Sequence, residues 1–428
     1  MSIVVIGMLD EREQALKLIK QQIEQRGHKP LLLDISVGNG AIVPTLRADV
    51  TCQELTALAA QAEDKPEASP KSATSIMGEG LRVKLAALMA SGELEGLIAI
   101  TGMTGALITL TAMEVVPFGI PKLLISGATA QPAHAAKFSA YFALKDITVM
   151  NTVVDTVGMN SLVRTLATNG VSAICGMVEG RRAPSSENRP SIAITEYGYC
   201  DRGAQYLREV LESDYDMVSF HATGIGDKPV LELVPRGDFA GFIDLVPGAF
   251  SDHLLGGNRA VVGPGRLDVA ARLPLPYVFC PGGFDLIACG PAARKDNNDP
   301  LWTSRNLAAR KLYLQDATRV QARANAEEME YVATEAAKKL NQYENKGRVK
   351  AAIPLRGFSS LSVAGGPLHD PEADRAFITA LKKHLDPAIE VIEVHSDINS
   401  PSFAKAAADA LLQVIRRSGA GGERSQHA

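Results

Sequence analysis

The sequence lacks the features that mark secreted, membrane-spanning and zinc-stabilised proteins. Its first apolar run is short and meets four charged residues at positions 10–13, so we expect no signal peptide. No apolar run approaches the length of a membrane span. The five cysteines are odd in number and include no C-x-x-C pair, which argues against structural zinc and favours a reducing compartment. We therefore expect a cytoplasmic protein.

Charge of one sign is also missing. The 44 basic and 48 acidic residues are well mixed, and the formal net charge is −4, so no basic surface for nucleic acid or for a membrane is indicated. Aromatic residues are scarce at 5%, whereas 46% hydrophobic and 21% charged residues are typical of a globular protein. A chain of 428 residues is too long to fold around one compact core, which predicts two large domains.

Apolar strand-like runs alternate with amphipathic helical segments along the chain. Strands are predicted to begin at Ser2, Pro30, Gly96, Lys122, Ile147, Val171, Ser191, Met217 and Phe242. Such alternation predicts parallel sheets covered by helices on both faces. We therefore predict an α/β fold of two Rossmann-like subdomains, with mainly parallel sheets flanked by helices.

Proline and glycine composition predicts where these subdomains end. Residues 181–190 are hydrophilic and contain two prolines, so neither a helix nor a central strand should cross them. The N-terminal subdomain is predicted over residues 1–180, the linker over 181–190 and the C-terminal subdomain over 191–418. Residues 419–428 are predicted to form a flexible tail. The region from Trp302 to Tyr343 is predicted to be helical.

The run that starts at Gly96 breaks into a glycine-rich turn, Thr101-Gly102-Met103-Thr104-Gly105, and resumes with helical spacing. Glycines permit a sharp turn, after which the amides of Met103, Thr104 and Gly105 would point toward an anion at a helix N-terminus. The spacing matches neither a P-loop nor a dinucleotide fingerprint. An ordinary strand-to-helix junction is therefore an equally open interpretation of the turn alone.

Small and polar residues follow other predicted strands of the same half. Binding residues of parallel α/β sheets collect beyond the carboxyl ends of the strands, where Asp10, Ser126 to Thr129 and Asn151 are predicted to lie. Asp10 could accept from a ribose hydroxyl or hold magnesium through water, but with Glu13 it also fits a capping box. Arg82, on a predicted helix, could bind two phosphate oxygens or simply be solvated.

The C-terminal half has its own acidic and histidine candidates. His221 follows a predicted strand among small residues, with Glu232 later in the chain and Asp285 after Pro-Gly-Gly. If this half is catalytic, these three residues, together with Asp244 and Asp252, are the candidate acid, base or metal groups. A buried, hydrogen-bonded histidine is the alternative for His221, and a buried inert thiol is the alternative to a nucleophile at Cys280.

Several landmarks occur together in one order along the chain. They are Gly7-x-x-Asp10, Thr101-Gly102-x-Thr104-Gly105, Ser126-Gly127-x-Thr129, Phe220-His221-Ala-Thr223-Gly224, Leu255-Gly256-Gly257, Pro354-Leu-Arg356-Gly357 and Ala364-Gly365-Gly366-Pro367-Leu-His369-Asp370-Pro371. This set resembles the ATP-binding family that contains the N-terminal inhibitory domain of the tomato mosaic virus resistance protein. The resemblance covers residues 2 to about 418.

The resemblance implies ATP and magnesium as ligands of the N-terminal subdomain, and a homodimer. The nucleotide-binding candidates that it carries over are Asp10, Arg82, Gly102, Met103, Thr104, Gly105, Ser126, Gly127, Thr129 and Asn151. It assigns no metal ligand. Many family members have lysine after the first Asp-containing turn, where this chain has Glu11-Arg12-Glu13. Arg12 could substitute, although an acid on each side argues against a phosphate contact.

Two classes of function remain open from the sequence. The first is an ATP-using or ATP-regulated enzyme that acts on a small polar metabolite in the cleft between subdomains. The second is a noncatalytic module that binds a partner protein in a nucleotide-dependent way. A two-lobed solute receptor is disfavoured because an export signal is not recognised.

Overall fold

The computed structural model describes residues 2–38, 40–62, 72–181, 189–224, 226–236, 239–268 and 275–422. The chain divides into two compact units, Met1–Ser186 and Glu187–Ala428. Residues 182–188 of the predicted linker and residues 423–428 of the predicted tail lie outside the described residues. Within the described ranges, no helix is both long enough and apolar enough to cross a membrane.

The first unit is built on one parallel sheet. In chain order its strands β1 to β5 are Ser2–Gly7, Pro30–Asp34, Leu94–Ile100, Lys122–Ile125 and Ile147–Met150. The strand order is β2-β1-β3-β4-β5, and each pairing is parallel. Its helices α1 to α6 are Leu9–Gln25, Cys52–Gln61, Ala73–Ala90, Met103–Met113, Ala135–Leu144 and Ser161–Arg181. Strands β2 and β3 pair with opposite edges of β1, so the strand order reverses there and the switch point of the sheet lies between β1 and β3.

Burial on both faces explains the apolar runs of the central strands. Both β1 and β3 are buried along their whole length. Alternate residues of β1 point to opposite faces, so Val4 and Ile6 belong to one apolar core while Ile3 and Val5 belong to the other. This sandwich holds the carboxyl ends of the strands in a fixed row. The predicted α/β class with parallel sheets is confirmed.

Two local predictions in this unit are wrong. Residues 171–178 form part of helix α6 instead of a strand, because the buried Val171, Ile174 and Val178 follow helical spacing and pack toward α1 and β3. The predicted capping box at Asp10 is also absent. Helix α1 begins at Leu9 with Met8 as an N-cap that makes no side-chain hydrogen bond, and Glu13 instead accepts hydrogen bonds from Thr45.

The second unit repeats the doubly wound plan with an added small sheet. Its strands β6 to β14 are Ser191–Glu196, Asp216–His221, Phe239–Asp244, Tyr277–Phe279, Leu286–Ala288, Leu312–Leu314, Val320–Arg323, Val349–Pro354 and Glu390–Val394. The large sheet is parallel, with the order β14-β13-β9-β8-β6-β7, and the small antiparallel sheet has the order β10-β12-β11. Its helices α7 to α13 are Asp201–Leu211, Asp227–Leu233, Gly248–Leu255, Pro300–Ser304, Ala326–Leu340, Pro371–His384 and Pro401–Gly422.

The prediction of a helical region from Trp302 to Tyr343 is only partly right. Helix α11 is present, but β11 and β12 precede it as an antiparallel pair. The sequence of β12, Val-Gln-Ala-Arg, alternates apolar and polar residues, but it is only four residues long and its polar residues are buried as well. Its burial comes from pairing with β10 and β11, which a local pattern does not reveal. At the C-terminus, α13 continues to Gly422 and so includes residues 419–422 of the predicted tail.

Candidate functional site

A polar cavity lies at the carboxyl ends of the strands in the first unit. Its volume is about 730 Å³, within the range of small-molecule sites. Loops that follow β1, β3, β4 and β5 form its wall, and a further segment at residues 40–42 completes it. The cavity therefore occupies the switch point, where doubly wound sheets bind ligands.

One wall of the cavity is the N-terminus of helix α4. Gly102 is the N-cap and supplies no capping side chain, so the first amides of the helix have no intrahelical or side-chain acceptor. Met103, Thr104 and Gly105 line the cavity beside them. The absence of a side chain at Gly105 also matters, because a Cβ atom there would lie 2.9 Å from the Cβ atom of Thr101. This arrangement presents donors and the positive end of a helix dipole to the cavity.

The guanidinium of Arg12 lies directly over this helix end. Its side chain is only 4% exposed, and Nε donates to Thr156 Oγ1 at 2.7 Å. A Cβ atom added to Gly102 would lie 2.8 Å from Arg12 Nη2, which shows how closely the cation approaches the turn. Glu11 pairs with Nη1, and Asp155 lies 3.6 Å from Nη2. A buried cation at a helix N-terminus is a favourable place for an anion.

Two buried oxygen atoms in the same wall have no partner. Asp10 Oδ2 accepts from the Gly40 amide at 3.0 Å, whereas Asp10 Oδ1 makes no hydrogen bond. The hydroxyl of Thr101 is likewise buried without a partner. Buried polar atoms are rarely left unpaired unless a water, an ion or a ligand completes them. Both residues line the cavity, so their oxygens mark it as a site for a polar or charged ligand.

The structure brings most of the sequence-predicted nucleotide residues to this cavity. Its lining includes Asp10, Gly102, Met103, Thr104, Gly105, Gly127 and Asn151. Ser126 and Thr129 are not among the described lining residues, and the Ser126 hydroxyl accepts from the Ala128 amide within its own turn.

Arg82 is not part of the described wall of the cavity either. Its side chain is 42% exposed and forms two hydrogen bonds with Glu79, one helical turn away. The hydrogen bonds that Arg82 donates to the Glu79 carboxylate raise the pKa of Arg82. The Arg82 guanidinium, which was a candidate to bind two phosphate oxygens, is therefore already bonded to the Glu79 carboxylate.

The histidine and acidic candidates of the second unit lie in different environments. His221 is exposed at the end of β7 and contacts Thr223 through Nδ1 at 3.3 Å. Asp285 is fully buried beyond β9 and accepts from the Ser359 hydroxyl at 2.5 Å. Strands β7 and β9 are separated by β6 and β8, which corresponds to about 14 Å between strand axes. Glu232 lies in helix α8.

The other two candidate acids of that unit, Asp244 and Asp252, are each paired with a buried arginine. Asp244 receives two hydrogen bonds from Arg266, which is fully buried. Asp252 accepts from Arg259 Nε at 2.7 Å. Burial raises the pKa of the Cys280 thiol well above its ordinary value, which keeps it protonated and unreactive. The two ion pairs fit a role in holding the core.

The sequence pattern pointed to neither Thr156 nor Asp155, and the acids that flank Arg12 argued against a phosphate contact there. Arg12 has φ −130° and ψ 25°, a non-helical conformation inside α1 that no local pattern signals. Thr156 contacts it across 144 positions of sequence. The lysine that many members of the resembling family have at this turn was a signal for a cation at Arg12. The neighbouring acid Glu11, which argued against a phosphate contact, is an ion-pair partner of the Arg12 guanidinium.

Fold and cavity together define a protein of two doubly wound α/β units, the first of which carries a polar cavity at its switch point. The comparisons with known proteins agree with this division. The chain belongs to the uncharacterised protein family UPF0261: the N-terminal domain model of that family matches residues 1–183, and the C-terminal domain model matches residues 189–415.

Relatives of the chain occur in bacteria and in a plant. A UPF0261 protein of Clostridium tetani is 28% identical over 419 residues, covering 97% of this chain and 99% of the relative. A UPF0261 protein of Rhizobium meliloti is also 28% identical, with 96% and 98% coverage. The tomato protein named ToMV resistance protein Tm-1(GCR237) is 26% identical over 356 residues, which is 81% of this chain and 45% of the tomato protein. The family resemblance read from the sequence motifs is thus confirmed.

Proposed function

We propose that the first unit binds ATP with magnesium in the cavity at its switch point. The observation that carries this proposal is the buried Arg12 guanidinium over Gly102, at the N-terminus of α4. A guanidinium, free helix amides and a glycine that admits close approach are the groups that bind phosphate in proteins. The phosphate chain is therefore assigned to the part of the cavity that Arg12 and the turn at residues 102–105 both line.

The unpaired oxygens of Asp10 and Thr101 support a cation beside the phosphates. Magnesium prefers oxygen ligands and is commonly held by one or two carboxylates plus phosphate oxygens and water. Asp10 Oδ1 and Thr101 Oγ1 offer one carboxylate and one hydroxyl oxygen. No group of three His, Cys, Asp or Glu side chains suited to a metal occurs among the described residues. The bound cation would neutralise phosphate charge, and these two side chains would orient it.

The choice of ATP over other phosphate compounds rests on the family resemblance. A volume of about 730 Å³ is large enough for a nucleoside triphosphate. The resemblance also implies a homodimer, and the five cysteines, odd in number and without a C-x-x-C pair, favour the reducing cytoplasm. The dimer is checked by the molecular mass in solution, measured with and without the nucleotide.

The test is ATP binding by calorimetry with wild-type protein and with Gly102→Asp. Gly102 has φ −85°, which any residue tolerates, and Asp is a favoured N-cap, so the fold should be kept or stabilised. The new carboxylate would meet the flexible end of Arg12 and take the place of phosphate. Gly176→Asp is the matched control, because a side chain there meets open space in helix α6.

We expect the wild type and Gly176→Asp to bind ATP with magnesium, and Gly102→Asp to melt normally without binding it. Equal binding by Gly102→Asp would refute the assigned site, and no binding by the wild type at millimolar ATP would refute the function. Phosphate release is measured on the same proteins. Release that disappears in Gly102→Asp identifies an ATP-using enzyme, whereas binding without release identifies a nucleotide-dependent binding module.

A further inference from the structure

The loop after β5 places a carboxylate next to the one cation in the described cavity wall. Asp155 Oδ1 lies 3.6 Å from Arg12 Nη2, and the Asp155 side chain is 77% exposed. This separation is an ion pair without a hydrogen bond. The neighbouring Thr156 is buried and bonded to Arg12 Nε, so the loop is attached to the same side chain whose other end faces the turn at Gly102.

The backbone keeps this loop in one arrangement. Thr152 and Thr156 are buried on either side of Asp155. Between them, Val153 has φ 59° and its side chain is 88% exposed. A β-branched residue with positive φ is an outlier that persists only where its surroundings fix it. Asp155 is therefore held close to the guanidinium by its anchored neighbours, and its own ion pair adds little.

We propose that Asp155 competes with the phosphate of the ligand for Arg12 and so sets the affinity of the site. This inference rests on the proposed function, because it presumes a phosphate in the cavity. With the site empty, Asp155 balances part of the charge of Arg12. When phosphate binds, it takes over the Nη2 side of the guanidinium and faces the carboxylate as a like charge.

The local balance of charge supports this role. Asp10, Glu11 and Asp155 line the cavity together with a single described cation, Arg12. Glu11 is a direct partner of Nη1, and the Asp10 carboxylate is fixed by the Gly40 amide, so both are built into the wall. Asp155 is the exposed member of the three, and it lies at the Nη2 end that faces the turn. Removing its charge should help an anion without dismantling the site.

Asp155→Asn isolates this charge. Asp155 Oδ1 also accepts from the Val157 amide at 3.1 Å, and an asparagine oxygen can accept the same hydrogen bond. The substitution therefore keeps the turn and removes only the charge. Glu24→Gln is the matched control: Glu24 is exposed on α1, twelve residues from Arg12, or about 18 Å along a helix. That distance exceeds the screening length at physiological salt.

The experiment measures dissociation constants for two probes, ATP with magnesium and tripolyphosphate without metal. In about 0.1 M salt, where the screening length is about 10 Å, we expect Asp155→Asn to bind both probes about two- to fivefold more tightly, the size expected for one exposed charge. The gain should vanish in about 0.5 M salt, because screening removes exposed interactions. Glu24→Gln should match the wild type in both conditions.

Three results would overturn the inference. Unchanged affinity of Asp155→Asn, with clear wild-type binding, would show that the carboxylate does not compete. Weaker binding of the magnesium complex alone would make Asp155 a metal ligand instead. Binding of neither probe by any of the proteins would refute the proposed function together with this inference, so the two failures are distinguishable.

Discussion

Substitutions of Arg12 and of Arg82 test which of these two arginines binds the phosphate. Arg12→Gln removes a buried guanidinium that lies over Gly102, whereas Arg82→Gln removes one that is 42% exposed and already bonded to Glu79. A hydrogen bond to a charged group contributes about 1.5–3 kcal/mol, which corresponds to a loss of roughly 10- to 150-fold in affinity. We therefore expect Arg12→Gln to weaken binding of the ATP–magnesium complex by this factor, and Arg82→Gln to leave it unchanged.

The same substitution also affects the fold, so stability must be measured beside affinity. Arg12→Gln loses the bond from Nε to Thr156, which should lower the free energy of unfolding by about 1–3 kcal/mol. Arg12→Lys keeps a charge without the planar fork and should fall between the wild type and Arg12→Gln. Calorimetry gives the affinities, and urea unfolding shows that each variant is folded. Equal affinity of Arg12→Gln and wild type, or an equal loss in Arg82→Gln, would refute the assignment.

Two further substitutions test the cavity wall and a buried acid. Thr101→Val removes a buried, unpaired hydroxyl, so the free energy of unfolding should stay the same or rise. Binding of ATP with magnesium should weaken by about three- to tenfold. Thr109→Val is the control, because it removes another unpaired buried hydroxyl that does not line the cavity, and it should leave binding intact. Burial raises the pKa of Asp374 to about 6, beside Arg323 and Asp285. The folded state then holds this proton more tightly than the unfolded state, so the wild type should lose stability relative to Asp374→Asn as pH rises from about 4 to 6. Urea unfolding across that pH range measures the difference, and parallel stability profiles of the two proteins would contradict the prediction.

The sequence was sufficient for the parts of the site that follow from strand order. Alternating apolar runs predicted parallel strands, and the residues just after them, such as Asp10, Gly102 and Asn151, were expected at one edge of a sheet. The structure places these three in the lining of one cavity. Such predictions succeed because the position of a strand end depends on the backbone, which the local pattern specifies well.

The parts that the sequence did not reveal depend on contacts between distant segments. The non-helical backbone at Arg12 turns its guanidinium toward Gly102, and Thr156 fixes it from 144 positions away. Asp10 fitted the N-cap of a capping box by spacing, yet α1 begins two residues earlier than that predicts, with Met8 as its N-cap, and Asp10 Oδ1 is left without a partner. Residues 171–178 were short and apolar enough to resemble a strand, although their buried residues have helical spacing and pack against α1 and β3.

Phosphate is proposed to bind in the cavity against both Arg12 and the N-terminus of α4. A crystal structure of the protein with ATP and magnesium tests this proposal most directly. We expect phosphate density within hydrogen-bond distance of the guanidinium of Arg12 and of the amides of residues 103–105, with a cation near Asp10 Oδ1 and Thr101 Oγ1. Nucleotide density elsewhere in the chain, or an empty cavity in crystals grown at saturating ATP, would contradict this binding site.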